Sequence, residues 1–294
     1  MLLIIRNMLE RRVSCSQHVS LSIFLANMGQ DHIADRLTLI ARDVLVDARV
    51  ACCAMRNYRP PPTANSSLDL AIEAVTLSAC RTLESAMAVF DLGDHDSAGA
   101  LTRKALEFAY VLVMLSRKRD HGVELLEQWG ARNLGSGLQA MMSAQRGQLC
   151  ALDPEKVKES IREFASAVPN GILDRVSEKQ LSEWADLSEV HSSLYSTLNA
   201  HAHFDLFEAL SLQRQVMTPN DKSVVDDLCL NRALIATKIQ EVVLIAIRAI
   251  DALGASGMKS ILDNQAAKLE RLYAEATDIA ENRARRDKQF GLGS

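Results

Sequence analysis

The chain has 294 residues, of which 48% are hydrophobic, 24% charged and only 4% aromatic, with a formal net charge of −4. It is long enough to bury a sizeable core, too apolar for a disordered polyelectrolyte, and without the global basic field that announces nucleic-acid binding. Ala and Leu abound while Gly and Pro are scarce, a balance that favours helices over a large sheet.

In chain order, the opening MLLIIRNMLERR has five apolar residues before Arg6, whereas a secretory leader places its charge first and follows with a longer apolar core. No uncharged apolar run of about 18 residues follows, so a cytoplasmic protein with no membrane partner is expected. Ile33, Leu37, Ile40, Val44, Ala48, Ala51 and Met55 recur every three or four positions and predict a helix over 31–56. Arg59-Pro60-Pro61-Pro62 ends it, because three prolines cannot continue a helix. Residues 1–59 are therefore expected to form an N-terminal helical arm or hairpin, 63–217 a central helical bundle, and 220–294 a C-terminal helical pair with a frayed tail.

Within the central segment, Leu68, Ile72, Val75, Ala79, Leu83, Ala86 and Phe90 predict a helix over 66–91. Gly93-Asp94-His95-Asp96 closes it, and Asp96 or Ser97 is the expected cap of a helix running to Arg119. Residues 121–148 read as helix interrupted by the glycine-bearing stretch 133–137. Asp153-Pro154-Glu155 is a start signal, a cap followed by Pro at the first helical position. Val168-Pro169-Asn170-Gly171 reads as a turn, Ser177 as a helix start, and 186–214 as one long helix. After the break at Thr218-Pro219, two helices are expected, over 222–253 and 258–286. No strand alternation of useful length is present, and the predicted fold is all-α: a multi-helix bundle of long amphipathic helices with no significant sheet.

Six scattered cysteines without C-x-x-C read as free thiols in a reducing cytosol rather than as a disulfide or zinc framework. Chemistry is concentrated elsewhere, in HSSLYSTLNAHAHFDLF. At about 100° per residue, Leu187, Val190, Leu194, Leu198 and Leu212 share a stripe roughly 80° wide that also holds His201 and Asp205. Tyr195, Asn199 and His203 drift away from it by roughly 40° each and make one polar strip on its flank. His201 and His203, roughly 200° apart on a helix, are not a metal pair. Among other metal readings, His203 with Glu107 would need a second carboxylate.

A second polar pair, Arg103 and Glu107, stands in LTRKALEFAYVLVML, a helix apolar almost all round from 105 to 115. Polar groups on such a central helix need partners inside the protein, and the strip Tyr195, Asn199 and His203 could supply them. No phosphate loop, dinucleotide fingerprint or nucleophile elbow occurs, so neither a cofactor nor a metal is expected.

The run L-x-R-x-x-L-E, followed about 90 residues later by Y-x3-small polar-x3-H, resembles a bacterial family of domains of unknown function, the five-six-seven-seven family. The matching positions are Arg103, Glu107, Tyr195, Asn199 and His203; the family usually has Ser where this chain has Asn199. The resemblance implies an all-helical domain and no established reaction. A looser similarity is to HEPN-type helical bundles, whose ribonuclease members pair Arg with His four to six residues later. This chain has no Arg so placed ahead of His201 or His203.

Two functional expectations follow. The first is an intracellular helical domain with a structural or interaction role, in which Arg103, Glu107, Tyr195, Asn199 and His203 form a buried network and long terminal helices support a homodimer. The alternative is a HEPN-like, metal-independent ribonuclease of a bacterial defence or toxin system, with RNA as partner. There His203 would be acid/base, Arg103 the phosphate binder, and Glu107, Tyr195 and Asn199 supporting members of the catalytic set.

Overall fold

The computed structural model describes residues 33–59, 65–144, 153–195, 197–199, 217, 222–254, 258–271 and 274. All regular structure among them is helical. The helices are α1 (Ile33–Asn57), α2 (Ser66–Asp91), α3 (His95–Lys118), α4 (Asp120–Ala144), α5 (Pro154–Ser166), α6 (Glu178–Trp184) and α7 (Lys222–Ala252), with a further run, α8, over 258–271. The protein is an all-α helical bundle. Among the described residues no helix is long and apolar enough to cross a membrane.

The core lies where α1, α2, α3 and α7 meet. Three of them contribute an apolar stripe at helical spacing: Val44, Ala48, Ala51 and Met55 from α1, Ile72, Ala79, Leu83 and Phe90 from α2, and Ile235, Ile239, Val242, Ala246 and Ile250 from α7. The helix of the predicted N-terminal arm thus packs in the same core as the central segment. Burial of such stripes contributes about 25 cal/mol per Å² of apolar surface removed from water. The middle of α3 is sealed nearly all round, from Ala105 to Leu115 except Phe108. It packs against α2, α4, α6 and α7. A smaller cluster of Ala131, Val168 and Leu173 seats α5 and the following turn on α4.

Local signals set the helix ends. Asn65 accepts from the backbone N–H of Ser67 and Leu68, Asp153 from Glu155, and Ser177 from Gln180, as N-caps do. The cap of α3 is Asp94, which accepts from the Ser97 N–H at 3.0 Å, rather than the expected Asp96 or Ser97. That side-chain bond lets the helix begin at His95. Helix α4 runs unbroken through Gly135 and Gly137, correcting the expected interruption at 133–137. Isolated glycines weaken a helix without ending it, and a Cβ at Gly135 would meet the Leu173 methyls at 2.7 and 2.8 Å. Arg119, at φ 51°, forms the sharp joint between α3 and α4. Beside it a Cβ on Gly122 would meet Met114 O at 3.1 Å, so α4 begins flush against the end of α3.

Two polar features lie within or against the core. The Lys238 ammonium, its side chain only 2% exposed, pairs with both carboxylate oxygens of Glu241 at 3.0 and 3.1 Å. A hydrogen-bonded thread joins three helices: Gln240 of α7 donates to Gln265 of α8, and Gln265 Nε2 donates to Asp47 O of α1 at 2.6 Å. Lys268 pairs with the Asp47 carboxylate beside it. The described cysteines, Cys52, Cys53, Cys80 and Cys229, are free thiols; burial pushes the Cys80 thiol up to about 12, which leaves it unreactive.

Candidate functional site

Helix α3 presents Arg103, Glu107 and Tyr110 at spacings of four and three, which places them on one helix face. Opposite them runs the segment from Ser177 to Tyr195. Arg117, at the end of α3, fastens it by donating from Nη1 to Ala185 O at 2.8 Å and Asp186 O at 3.3 Å. Asp186 turns the chain at φ 55°. A single turn, Ser188–Val190, then runs into a π-helical turn, His191–Tyr195.

Ser192 and Ser193 explain part of this widening. The Ser192 hydroxyl donates to Ser188 O at 3.0 Å and that of Ser193 to Glu189 O at 3.2 Å. Hydroxyls bonded back to carbonyls of the preceding turn compete with the backbone ladder and bend helices, and π-turns recur at functional positions. The straight α-helix expected over 186–214 therefore does not hold at its start. The wider turn brings the His191 and Tyr195 rings into a stack, with centroids 4.3 Å apart and planes 22° apart.

The stack meets α3 at two points. The Arg103 guanidinium carbon lies 4.8 Å from the Tyr195 ring centre, within cation–π range, while Nη2 pairs with Glu178 Oε1 at 3.3 Å. The Tyr110 hydroxyl lies 3.4 Å from His191 Nδ1, a long hydrogen bond. Glu107 is nearly buried and accepts from Lys104 Nζ at 2.6 Å.

Burial raises the Tyr110 phenol, with Tyr195 and Glu107 adding to it. Burial also raises Tyr195, helped by Glu178 and opposed by Arg103. The His191 imidazole is lowered, chiefly by burial, against the pull of Glu178. For Glu178 burial acts upward, but its backbone hydrogen bond and Arg103 outweigh it and the carboxyl sits below the usual value. At neutral pH the Glu178 carboxyl is therefore ionised, the His191 imidazole neutral and both phenols protonated. With Tyr110 as the donor to Nδ1, the imidazole proton sits on Nε2; with the other tautomer, the phenol oxygen accepts from Nδ1.

Of the five residues singled out in the sequence, Arg103 and Tyr195 are in contact. Glu107 shares the Arg103 face of α3 and influences both phenols, yet its ion pair is with Lys104. Asn199 is half-buried and makes no hydrogen bond to Arg103, Glu107 or Tyr195 among the described residues. His203 lies outside the described residues, as do His201 and Asp205. Among the described residues no three His, Cys, Asp or Glu side chains converge as metal ligands do.

No family model, curated protein or solved structure matches this chain.

Three members of that site, Tyr110, Glu178 and His191, were not among the residues the sequence singled out. Two carry a signal. His191 extends the series Tyr195, Asn199, His203 backward by four, and Tyr110 follows Glu107 by three on the face already marked by Arg103. Glu178 carries none, because the 167–177 connection decides which carboxylate reaches Arg103.

Proposed function

We propose that the chain is a helical scaffold domain with a structural or interaction role, in which the network of Arg103, Glu178, Tyr195, His191 and Tyr110 fastens the 177–195 segment to the central helix. The observation that carries this reading is the engagement of Arg103 within the protein: its Nη2 on Glu178 and its face near Tyr195. A guanidinium held so closely is a fastening before it is a ligand site. The half-buried Asn199 continues the fastened segment, and His203 follows it in sequence. Self-association as a homodimer, a cytoplasmic setting and kinship with the five-six-seven-seven domains belong to the same proposal. Thermal melting of wild type and Arg103→Met tests it: the reading expects a clear loss of melting temperature, and an unchanged melt with a lost cellular phenotype would sink it.

One observation favours a second reading, a metal-independent ribonuclease. A partly exposed imidazole, held neutral, shares the Tyr195 ring with a guanidinium, and neutral imidazole and guanidinium are the acid/base and charge-stabilising groups such cleavage uses. Incubating the purified protein with total RNA in a chelator tests it; intact RNA at micromolar protein removes the nuclease reading.

A further inference from the structure

Tyr110 heads the large side chains sealed in the core. Its hydroxyl has one polar partner among the described residues, His191 Nδ1 on the π-turn. A sealed O–H without an acceptor loses its hydrogen bond and recovers none from water. A neutral imidazole supplies that acceptor at Nδ1; an imidazolium, protonated on both nitrogens, does not.

We propose that the π-turn His191–Tyr195 is a pH-responsive latch: neutral His191 accepts from Tyr110 and holds the turn on α3, and protonation of His191 releases the turn and with it Tyr195 from Arg103.

The surrounding groups set the balance. From α3, Arg103, Glu107 and Tyr110 face this region; from α6, Glu178, Lys179 and Glu183; from the turn itself, Tyr195. Glu178 and Glu183 favour the imidazolium, while burial and Lys179 oppose it, and the opposition prevails. Two of these charges are already engaged on α3, Arg103 with Glu178 and Glu107 with Lys104. An imidazolium keeps its stack on Tyr195, since a cation over a phenol ring is favourable. What protonation removes is the Tyr110 bond: two donors then face each other. If the phenol rotates to accept instead, its own proton points into apolar core. The hydroxyls of Ser192 and Ser193 bond back to carbonyls of the preceding turn and so compete with the backbone ladder of the turn.

The latch rests on the reading of the network as the fastening of this segment, and the test separates the two. Amide hydrogen exchange is followed on the full chain at pH 8 and pH 5, corrected for intrinsic exchange chemistry, with α2 as internal reference. Wild type is expected to exchange about tenfold faster over 191–195 at pH 5, the factor one lost buried hydrogen bond supplies, with α2 unchanged. His191→Gln offers Tyr110 an acceptor at every pH and is expected to show no such step. A second variant, Tyr110→Phe, removes the hydroxyl that needs the acceptor and is expected to exchange fast at both pH values. Equal wild-type protection at both pH values, or a full step retained in either variant, overturns the latch. Arg103→Met reports on the fastening: unchanged protection of 191–195 at pH 8 in that variant overturns the underlying reading itself.

Discussion

The Arg103 guanidinium carbon sits 4.8 Å from the centre of the Tyr195 ring while its Nη2 holds Glu178 at 3.3 Å. One side chain of the central helix thereby grips both ends of the segment that crosses it. The Arg103 and Glu178 side chains are only 20% and 24% exposed, so water screens the pair less than a surface ion pair.

Replacing Arg103 by Met keeps much of the stem and removes both contacts. Stability is expected to fall by about 1–3 kcal/mol, since a cation–π contact is lost and Glu178 is left without its α3 cation. Arg103→Lys should recover part of this, because the charge returns without the planar face. Urea unfolding of the three proteins, with Tyr195→Leu closing a double-mutant cycle, measures the shared portion.

Acid should destabilise the protein in two stages. The folded His191 titrates below its ordinary value of 6.5, chiefly through burial, so the unfolded chain binds more protons there. Stability is lost as pH falls below 6.5 and through the folded value. Glu178, held below its ordinary 4.5, adds a second loss at lower pH. Glu241 has the opposite sign: burial raises it against the pull of Lys238, so its contribution falls as pH rises through its folded value. Melting temperature against pH in wild type and His191→Gln isolates the first stage, which the variant should lack.

The Lys238–Glu241 pair should behave as a buried ion pair rather than a surface one. Lys238→Met leaves the largely buried Glu241 carboxylate beside an apolar stem, and a loss of about 3–5 kcal/mol is expected. Adding Glu241→Met should restore part of it, because no carboxylate is then left without its cation. Calorimetric melting of both variants checks the non-additivity.

The glycines of α4 divide by what surrounds them. A Cβ on Gly130 or Gly137 meets nothing within 4 Å, so Gly130→Ala and Gly137→Ala should each stabilise by about 0.5–1 kcal/mol through helix propensity. Gly122→Ala should destabilise, because the new methyl meets backbone of α3 at 3.1 and 3.2 Å, which has no rotamer to yield. Denaturant midpoints of the three variants should therefore separate in sign.

Much of the bundle is legible from periodicity alone. The stripe from Leu68 to Phe90 locates α2 over its observed span, because burial on one face leaves a regular trace in the residue order. The same logic marks α3 as central and its Arg103 as a group in need of a partner; Arg103 meets the Tyr195 ring and pairs with Glu178, which the periodicity does not mark. The trace fails where side chains reshape the backbone. A wheel at one fixed angle per residue assumes the ladder continues, whereas Ser192 and Ser193 bond back into it and widen the turn at His191–Tyr195. The adjacent serines are the signal, and they can be read only once their acceptors are known. The start of α3 fails for a related reason: Asp94, Asp96 and Ser97 are all good caps, and the choice rests on one bond between Asp94 and the Ser97 N–H.

The hydrogen-bonded thread from Gln240 through Gln265 to Asp47 has a consequence for biosynthesis. Asp47 and Gln265 are separated by 218 residues, and α1 buries its core face largely against α7. During translation at about 5–20 residues per second, α1 emerges on the order of 10–40 s before the strand of polypeptide that completes its packing. Throughout that interval Val44, Ala48, Ala51 and Met55 lack part of their cover. The nascent chain thus carries a half-covered apolar helix face for that interval, and synonymous codon changes between these two regions would alter its length.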